Sequence, residues 1–306
     1  MKCYLRVSLP LVFVLAACNT PPVSAPPPAS LPPRASSTLQ PTDTRTFPPP
    51  VRPVLATPTI TTQLLQNQAR AANPQRYQFA LDQGAQIAPT RDGKSFYVWW
   101  TPQNSSGAVI ATLHGHGSWA FDEFSLLHPF AALRGHAILA LQWWFGGGEQ
   151  PDDYYLPREM YPIFETILRQ QKIQPGKALL HGFSRGAANI YALQGFDRDM
   201  RNNLFGLTIA NAGMASPDFP PNLEITSSKF GADVYAGTHW VMYCGERDPN
   251  PNRDGCPAMR QTRDWVTKFG GTVDLLIEDK NGDHGGFHRN PANVNAALDV
   301  FDRLVK

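Results

Sequence analysis

The chain has 306 residues, 42% hydrophobic and 17% charged, which is enough apolar mass for a full core and excludes a disordered acidic or basic tail. Its 27 Lys and Arg against 25 Asp and Glu give a formal charge of +2, too weak a field to argue for a nucleic-acid partner. Of the 29 Pro, 13 fall in residues 18–58, so composition alone divides the chain into a proline-rich spacer and a globular body.

Lys2 and Arg6 flank the start of an apolar run of 11 residues, 7–17. At a rise of about 1.5 Å per residue that run is too short for a hydrocarbon core of about 30 Å, so residues 1–17 read as a signal peptide. The run ends Leu15-Ala16-Ala17-Cys18, which resembles the lipobox of bacterial lipoproteins. The resemblance implies cleavage before Cys18, a lipid carried on its thiol, and attachment to the membrane at that point. Asn19 rather than Asp follows; by resemblance to enterobacterial lipoproteins this implies the outer membrane, facing periplasm or cell surface. Residues 18–58 are mostly Pro, Ala, Ser and Thr and bury too little to offset their ordering entropy, so they read as a semi-extended tether. Removing residues 1–17 leaves 25 basic against 25 acidic residues, so anchoring rests on lipid rather than on a basic patch.

Residues 59–306 read as the globular domain. From about residue 77, short β-branched or aromatic runs alternate with longer helical stretches, the pattern of an α/β sheet with helices on both faces. Residues 77–82 and 95–101, around the turn chemistry of Arg91-Asp92-Gly93, are expected as antiparallel edge strands. Runs at 108–113, 136–142, 177–181, 204–210, 240–244 and 272–277 are near-continuously apolar, as parallel strands buried on both faces should be. Helices are expected at 122–134, 157–171, 186–195, 257–269 and 291–305. In the last, Asn290 can cap, Pro291 suits the first helical position, and Val294, Leu298, Phe301 and Val305 recur on one face.

The chemistry concentrates at His181-Gly182-Phe183-Ser184-Arg185-Gly186, a strand running through G-x-S-x-G into a helix. The serine of such an elbow sits on a tight turn that lifts Oγ clear of the sheet, and small residues two before and two after let the backbone approach itself. A serine hydroxyl needs a base. Of the eight His, only His284 and His288 follow the last strand, where this topology returns a base over the elbow. His284 comes first and has Gly neighbours, so it is the candidate and His288 the alternative. The acid that orients the imidazole is expected on the loop after the strand at 240–244: Asp248, with Asp254 in reserve. Cys244 and Cys256, the cysteines left once Cys3 and Cys18 are assigned to leader and anchor, are expected to pair and brace that loop. Backbone donors for a developing oxyanion are expected from His116 or its neighbours in His114-Gly115-His116-Gly117, and from Arg185. A competing set, His114, His116, His284 and His288 on zinc, has no nearby carboxylate to complete it and leaves Ser184 without a role. No metal or other cofactor is expected.

The order Ser184, Asp248, His284, the strand-elbow-helix setting and the H-G-x-G after the third strand together resemble the α/β-hydrolase superfamily, over about residues 77–306. Within it the chain is similar to the esterase, dienelactone-hydrolase and prolyl-oligopeptidase-type branches. The resemblance implies a mostly parallel central sheet of about eight strands and attack on an ester carbonyl through an acyl-enzyme, with no cofactor. A serine peptidase or amidase, or a surface binding protein that has lost turnover, are the other readings. Residues 212–238 are too few for a large cap domain. Trp143, Trp144 and Tyr154 are expected to wall an acyl or sugar-bearing pocket, and Arg185 or Arg158 to meet a substrate carboxylate.

Overall fold

The computed structural model describes residues 60–306 apart from residue 149. The signal peptide, Cys18 and the tether expected from the sequence lie outside the described residues. Two helices, α1 (Ile60–Ala72) and α2 (Pro74–Asp82), precede the antiparallel strands β1 (Gln86–Pro89) and β2 (Phe96–Trp100). Strand and helix then alternate: β3 (Val109–Leu113), α3 (Ala120–Arg134), β4 (Ala137–Leu141), α4 (Pro157–Gln170), β5 (Ala178–Phe183), α5 (Arg185–Asp199) and β6 (Phe205–Asn211). The remainder is α6 (Pro220–Thr226), β7 (His239–Gly245), α7 (Cys256–Lys268), β8 (Thr272–Asp279), α8 (Gly286–Arg289) and α9 (Pro291–Leu304).

The eight strands form one sheet in the order β1-β2-β4-β3-β5-β6-β7-β8. β2 runs antiparallel to both neighbours, and every pairing from β4 across to β8 is parallel. Side-chain alternation builds two cores from one strand: Val109, Ala111 and Leu113 of β3 pack in the layer of Phe164, Ile190 and Met259, while Ile110 packs in the layer of Phe121, Phe124, Val294 and Phe301. The central strands are therefore apolar at nearly every position, because both faces are covered. β8 departs from that expectation. As an edge strand it leaves Thr272 and Asp274 exposed, and Asp274 meets His239 of β7 at 3.0 Å.

Residues 77–82 are the end of a helix and not an edge strand. Pro74 fixes a helical φ at the first turn of α2. The helix then sets Tyr77 edge-on to Phe121 at 5.0 Å and buries Ala80 completely, an i, i+3 pair that the alternation of Tyr77, Phe79 and Leu81 conceals. The first strand is instead Gln86–Pro89, closed on β2 by the Arg91-Asp92-Gly93 turn with Thr90 N–H donating to Ser95 O at 2.8 Å. Between β6 and β7 stands only the 7-residue α6 with turns around it, so among the described residues no large cap covers the carboxyl ends of the strands. None of the described helices is long and apolar enough to cross a membrane.

Candidate active site

Ser184, Asp248 and His284 follow the carboxyl ends of β5, β7 and β8. β5 turns into α5 through Ser184, which takes φ 54° and ψ −119°, a backbone state that costs a side-chain-bearing residue on the order of 1–3 kcal/mol. Its N–H is held by Asn211 O at 2.8 Å. The flanking glycines are required by contact: a Cβ on Gly182 would stand 2.5 Å from Gly186 O, and one on Gly186 would stand 2.5 Å from Leu113 O. Strand, elbow and helix thus close on each other with no room for a methyl group.

The fold brings Ser184, His284 and Asp248 into one line. Ser184 Oγ lies 2.8 Å from His284 Nε2, and His284 Nδ1 lies 2.8 Å from Asp248 Oδ2. With the carboxylate accepting from Nδ1–H, Nε2 is left as the acceptor for the serine hydroxyl. Asp248 is buried, its other oxygen accepting Asn250 N–H at 2.8 Å. The acid and base loops are stitched together: Glu246 N–H donates to Asp279 O (2.9 Å) and Arg247 N–H to Gly282 O (3.0 Å). Burial pushes the Asp279 carboxyl up, but Asn293 and the backbone N–H groups of Asn281 and Gly282 outweigh it and hold the group below its ordinary value. Cys244, near the end of β7, is joined to Cys256, the first residue of α7, by a disulfide with Cα atoms 5.0 Å apart. That bond closes the loop carrying Asp248. Asp254 is buried beside Asp248 and His284, with one ligand atom of each within 4.8 Å of the others, and its carboxylate pairs with Arg253 at 2.7 Å.

The loop His114-Gly115-His116-Gly117 passes directly over the elbow, since a Cβ on Gly115 would stand 3.5 Å from Ser184 Cβ. Arg185 supplies the first N–H of α5, at the positive end of the helix. Its guanidinium lies over the Tyr154 ring at 4.9 Å and donates to His116 Nδ1 at 3.3 Å. Trp144 stands 5.5 Å from His116 and bridges to Tyr154. These four residues form one cluster beside the elbow. Trp143 lies beneath them: it is 1% exposed, meets Tyr154 edge-on at 6.0 Å, stacks on His114, and donates its indole N–H to His114 O at 2.8 Å. It braces the loop from beneath, and the expectation of a pocket-lining role is corrected. Arg158 is also diverted, into a pair with Glu224 at 2.7 Å.

The zinc set of four His is split by the fold. His284 faces Ser184, His116 faces Arg185, and His288 lies in a buried layer beneath them, its Nε2 3.2 Å from Glu123 Oε2. Phe183 separates the two late imidazoles, its ring 5.1 Å from His284 and 5.3 Å from His288. His181 shares that layer, 3.8 Å from Glu123 Oε2. Burial pushes His114 and His181 each down to about 4. Burial raises the Glu123 carboxyl, but His288, His181 and His114 outweigh it and hold it below its usual range. Glu123 and His181 are residues that sequence reasoning missed. The available signal was polar residues flanked by apolar ones: Asp122-Glu123 between Phe121 and Phe124, and His181 ending Leu179-Leu180.

No protein-family model and no curated protein matches the sequence. Among solved structures the chain is similar to an esterase/lipase from an uncultured bacterium, with TM-score 0.52 and 15% identity over 81% of this chain and 93% of that one. It is similar to the Pyrobaculum calidifontis esterase, with TM-score 0.54 and 14% identity over 79% of this chain and 96% of that one. It is also similar to acyl-protein thioesterase 2 of Zea mays, with TM-score 0.50 and 15% identity over 69% of this chain and 99% of that one. Sheet order, the strand-elbow-helix unit around Ser184 and these likenesses agree: the chain has the α/β-hydrolase fold.

Proposed function

We propose that the chain is a serine hydrolase that cleaves carboxylic esters through an acyl-enzyme, tethered to the bacterial envelope by lipid at Cys18. The observation that carries the chemistry is the relay from Ser184 Oγ through His284 to the buried Asp248, with both links at 2.8 Å. As Oγ adds to the ester carbonyl, its proton passes to His284 Nε2. Asp248 stabilises the imidazolium, which then protonates the departing alkoxide. Water attacks the acyl-Ser184 ester with His284 again as base, and the proton returns to Oγ as the acid leaves. Arg185 N–H and the His116 loop supply donors for the oxyanion, where preorganised dipoles act most strongly. The rim of Trp144, Tyr154, His116 and Arg185 contacts the substrate, and the lack of a large cap among the described residues favours a cleft open to bulky esters.

The names of the structural neighbours support an ester over an amide substrate, though at these identities the likeness extends to fold alone. Purified full chain is to be assayed on p-nitrophenyl esters beside aminoacyl p-nitroanilides. Esters are expected to turn over, and Ser184→Ala should lower kcat by at least about a thousandfold with the fold intact. Activity retained in that variant would refute the assignment, and faster turnover of the anilides would favour the peptidase reading. Tethering has its own test: Cys18→Ser should move the protein from the membrane to the soluble fraction.

A further inference from the structure

We propose that Glu123, His181 and His288 form a binding site for one Zn2+ ion, in the buried layer behind the nucleophile and separate from Ser184. The donor set and its spacing come first. Glu123 Oε2 lies 3.2 Å from His288 Nε2 and 3.8 Å from His181 Nδ1, and one donor atom from each residue lies within 4.8 Å of the other two. Zinc bonds of about 2.0–2.1 Å at tetrahedral angles put neighbouring donors about 3.4 Å apart. The three atoms therefore already surround a point that each reaches with a small side-chain movement, leaving a fourth position for water.

The unpartnered atoms point the same way. Glu123 Oε2 and His288 Nε2 are buried and stand 3.2 Å apart as an ion pair, with no hydrogen bond of ordinary geometry to either atom among the described residues. Both side chains are more than nine-tenths buried, where an unsatisfied polar atom is destabilising. No Lys or Arg pairs with the Glu123 carboxylate among the described residues, and the residues that offset its charge are imidazoles. One carboxylate and two His on a closed layer suit zinc better than a hard cation.

His181 has to exchange a partner for this. Its Nδ1 lies 2.8 Å from Thr112 Oγ1 and its Nε2 lies 3.4 Å from Asn211 Nδ2. With Nδ1 on the ion, the ring proton sits on Nε2. Turning the Asn211 amide over lets that N–H donate to Asn211 Oδ1, which is otherwise a buried acceptor without a partner. Metal-bound imidazoles ordinarily hold a hydrogen bond from their second nitrogen in this way. The ligands come from α3, β5 and α8, so the ion ties the helix after the oxyanion loop to the nucleophile strand and to the loop that bears His284. Its effect on Ser184 is one of positioning, through Phe183.

The test uses the untagged full chain, stripped with chelator and titrated with Zn2+, with bound metal measured by mass spectrometry. About one Zn2+ per chain is expected at micromolar free metal, falling below about a tenth in Glu123→Gln and in His288→Ala and unchanged in Ser184→Ala and His284→Ala. Zinc-edge X-ray absorption of the wild type is expected to show two imidazole ligands, a readout that stands even where a buried-site variant does not fold. Sub-stoichiometric zinc in the wild type, or fewer than two imidazoles on it, overturns the proposal. So does binding that survives Glu123→Gln but is lost in His284→Ala, which would put the ion on the Asp248, Asp254 and His284 group instead.

Discussion

Asp248 divides its two oxygens between the base and its own loop, accepting His284 Nδ1–H on one and Asn250 N–H on the other. Asp248→Asn keeps the shape but offers His284 a donor, which forces the wrong tautomer and leaves no acceptor for the Ser184 hydroxyl. A loss of about 10⁴ in kcat is expected, with the unfolding midpoint within a few degrees of wild type. A loss under tenfold would remove Asp248 from the relay. Gly186 makes the opposite kind of prediction, since a Cβ there meets Leu113 O at 2.5 Å. Gly186→Ala should cost about 1–3 kcal/mol in denaturant unfolding, and an unchanged midpoint would mean the elbow relaxes more freely than its packing implies. At this scale the meeting of Ser184, His284 and Asp248 was legible because each follows a strand end. Glu123 was not, because a buried carboxylate is explained only by imidazoles from β5 and α8 that the fold brings to it. Trp143 was misplaced for the converse reason: an indole that packs a loop and one that faces a substrate look alike in sequence.

The loops carrying Asp248 and His284 are held as elements by two devices. The Cys244–Cys256 disulfide spans 12 residues, and on the chain-entropy model such a closure contributes about 3 kcal/mol. Reduction, or the double replacement Cys244→Ser with Cys256→Ser, should lower the unfolding midpoint and lower kcat for esters as the acid loop loosens. Unchanged kcat would show that the hydrogen bonds to Asp279 O and Gly282 O suffice. The second device is Asp279, whose carboxyl titrates below its unfolded value near 3.9. A depressed value means stability that is present above the unfolded pKa and is lost as pH falls through the folded one. Asp279→Asn should therefore flatten the acid limb of the stability curve below about pH 4; an identical limb in the variant would deny it that role. Element type was readable wherever a run was long and one-sided, as in α9 with its Asn290 cap. It failed at α2, where six residues fit both periods and only the packing against Phe121 and Phe124 decides.

Across the whole molecule, the run of parallel strands was legible because burial on both faces leaves apolar residues at nearly every position, and sheet order then fixes which loops meet. Ser184, Asp248 and His284 are far apart in the chain, and they meet because β5, β7 and β8 all end at the same edge of one sheet. The pairing of β2 with β4 was not legible, since an antiparallel strand read alone carries no mark of its neighbour. The most direct measurement is labelling of the full chain with a fluorophosphonate, followed by peptide mass spectrometry. Ser184 alone should carry the phosphonate, and the adduct should disappear in His284→Ala while His116→Ala still labels. Modification at another serine, or undiminished labelling of Ser184 without His284, would contradict an activated hydroxyl at the elbow.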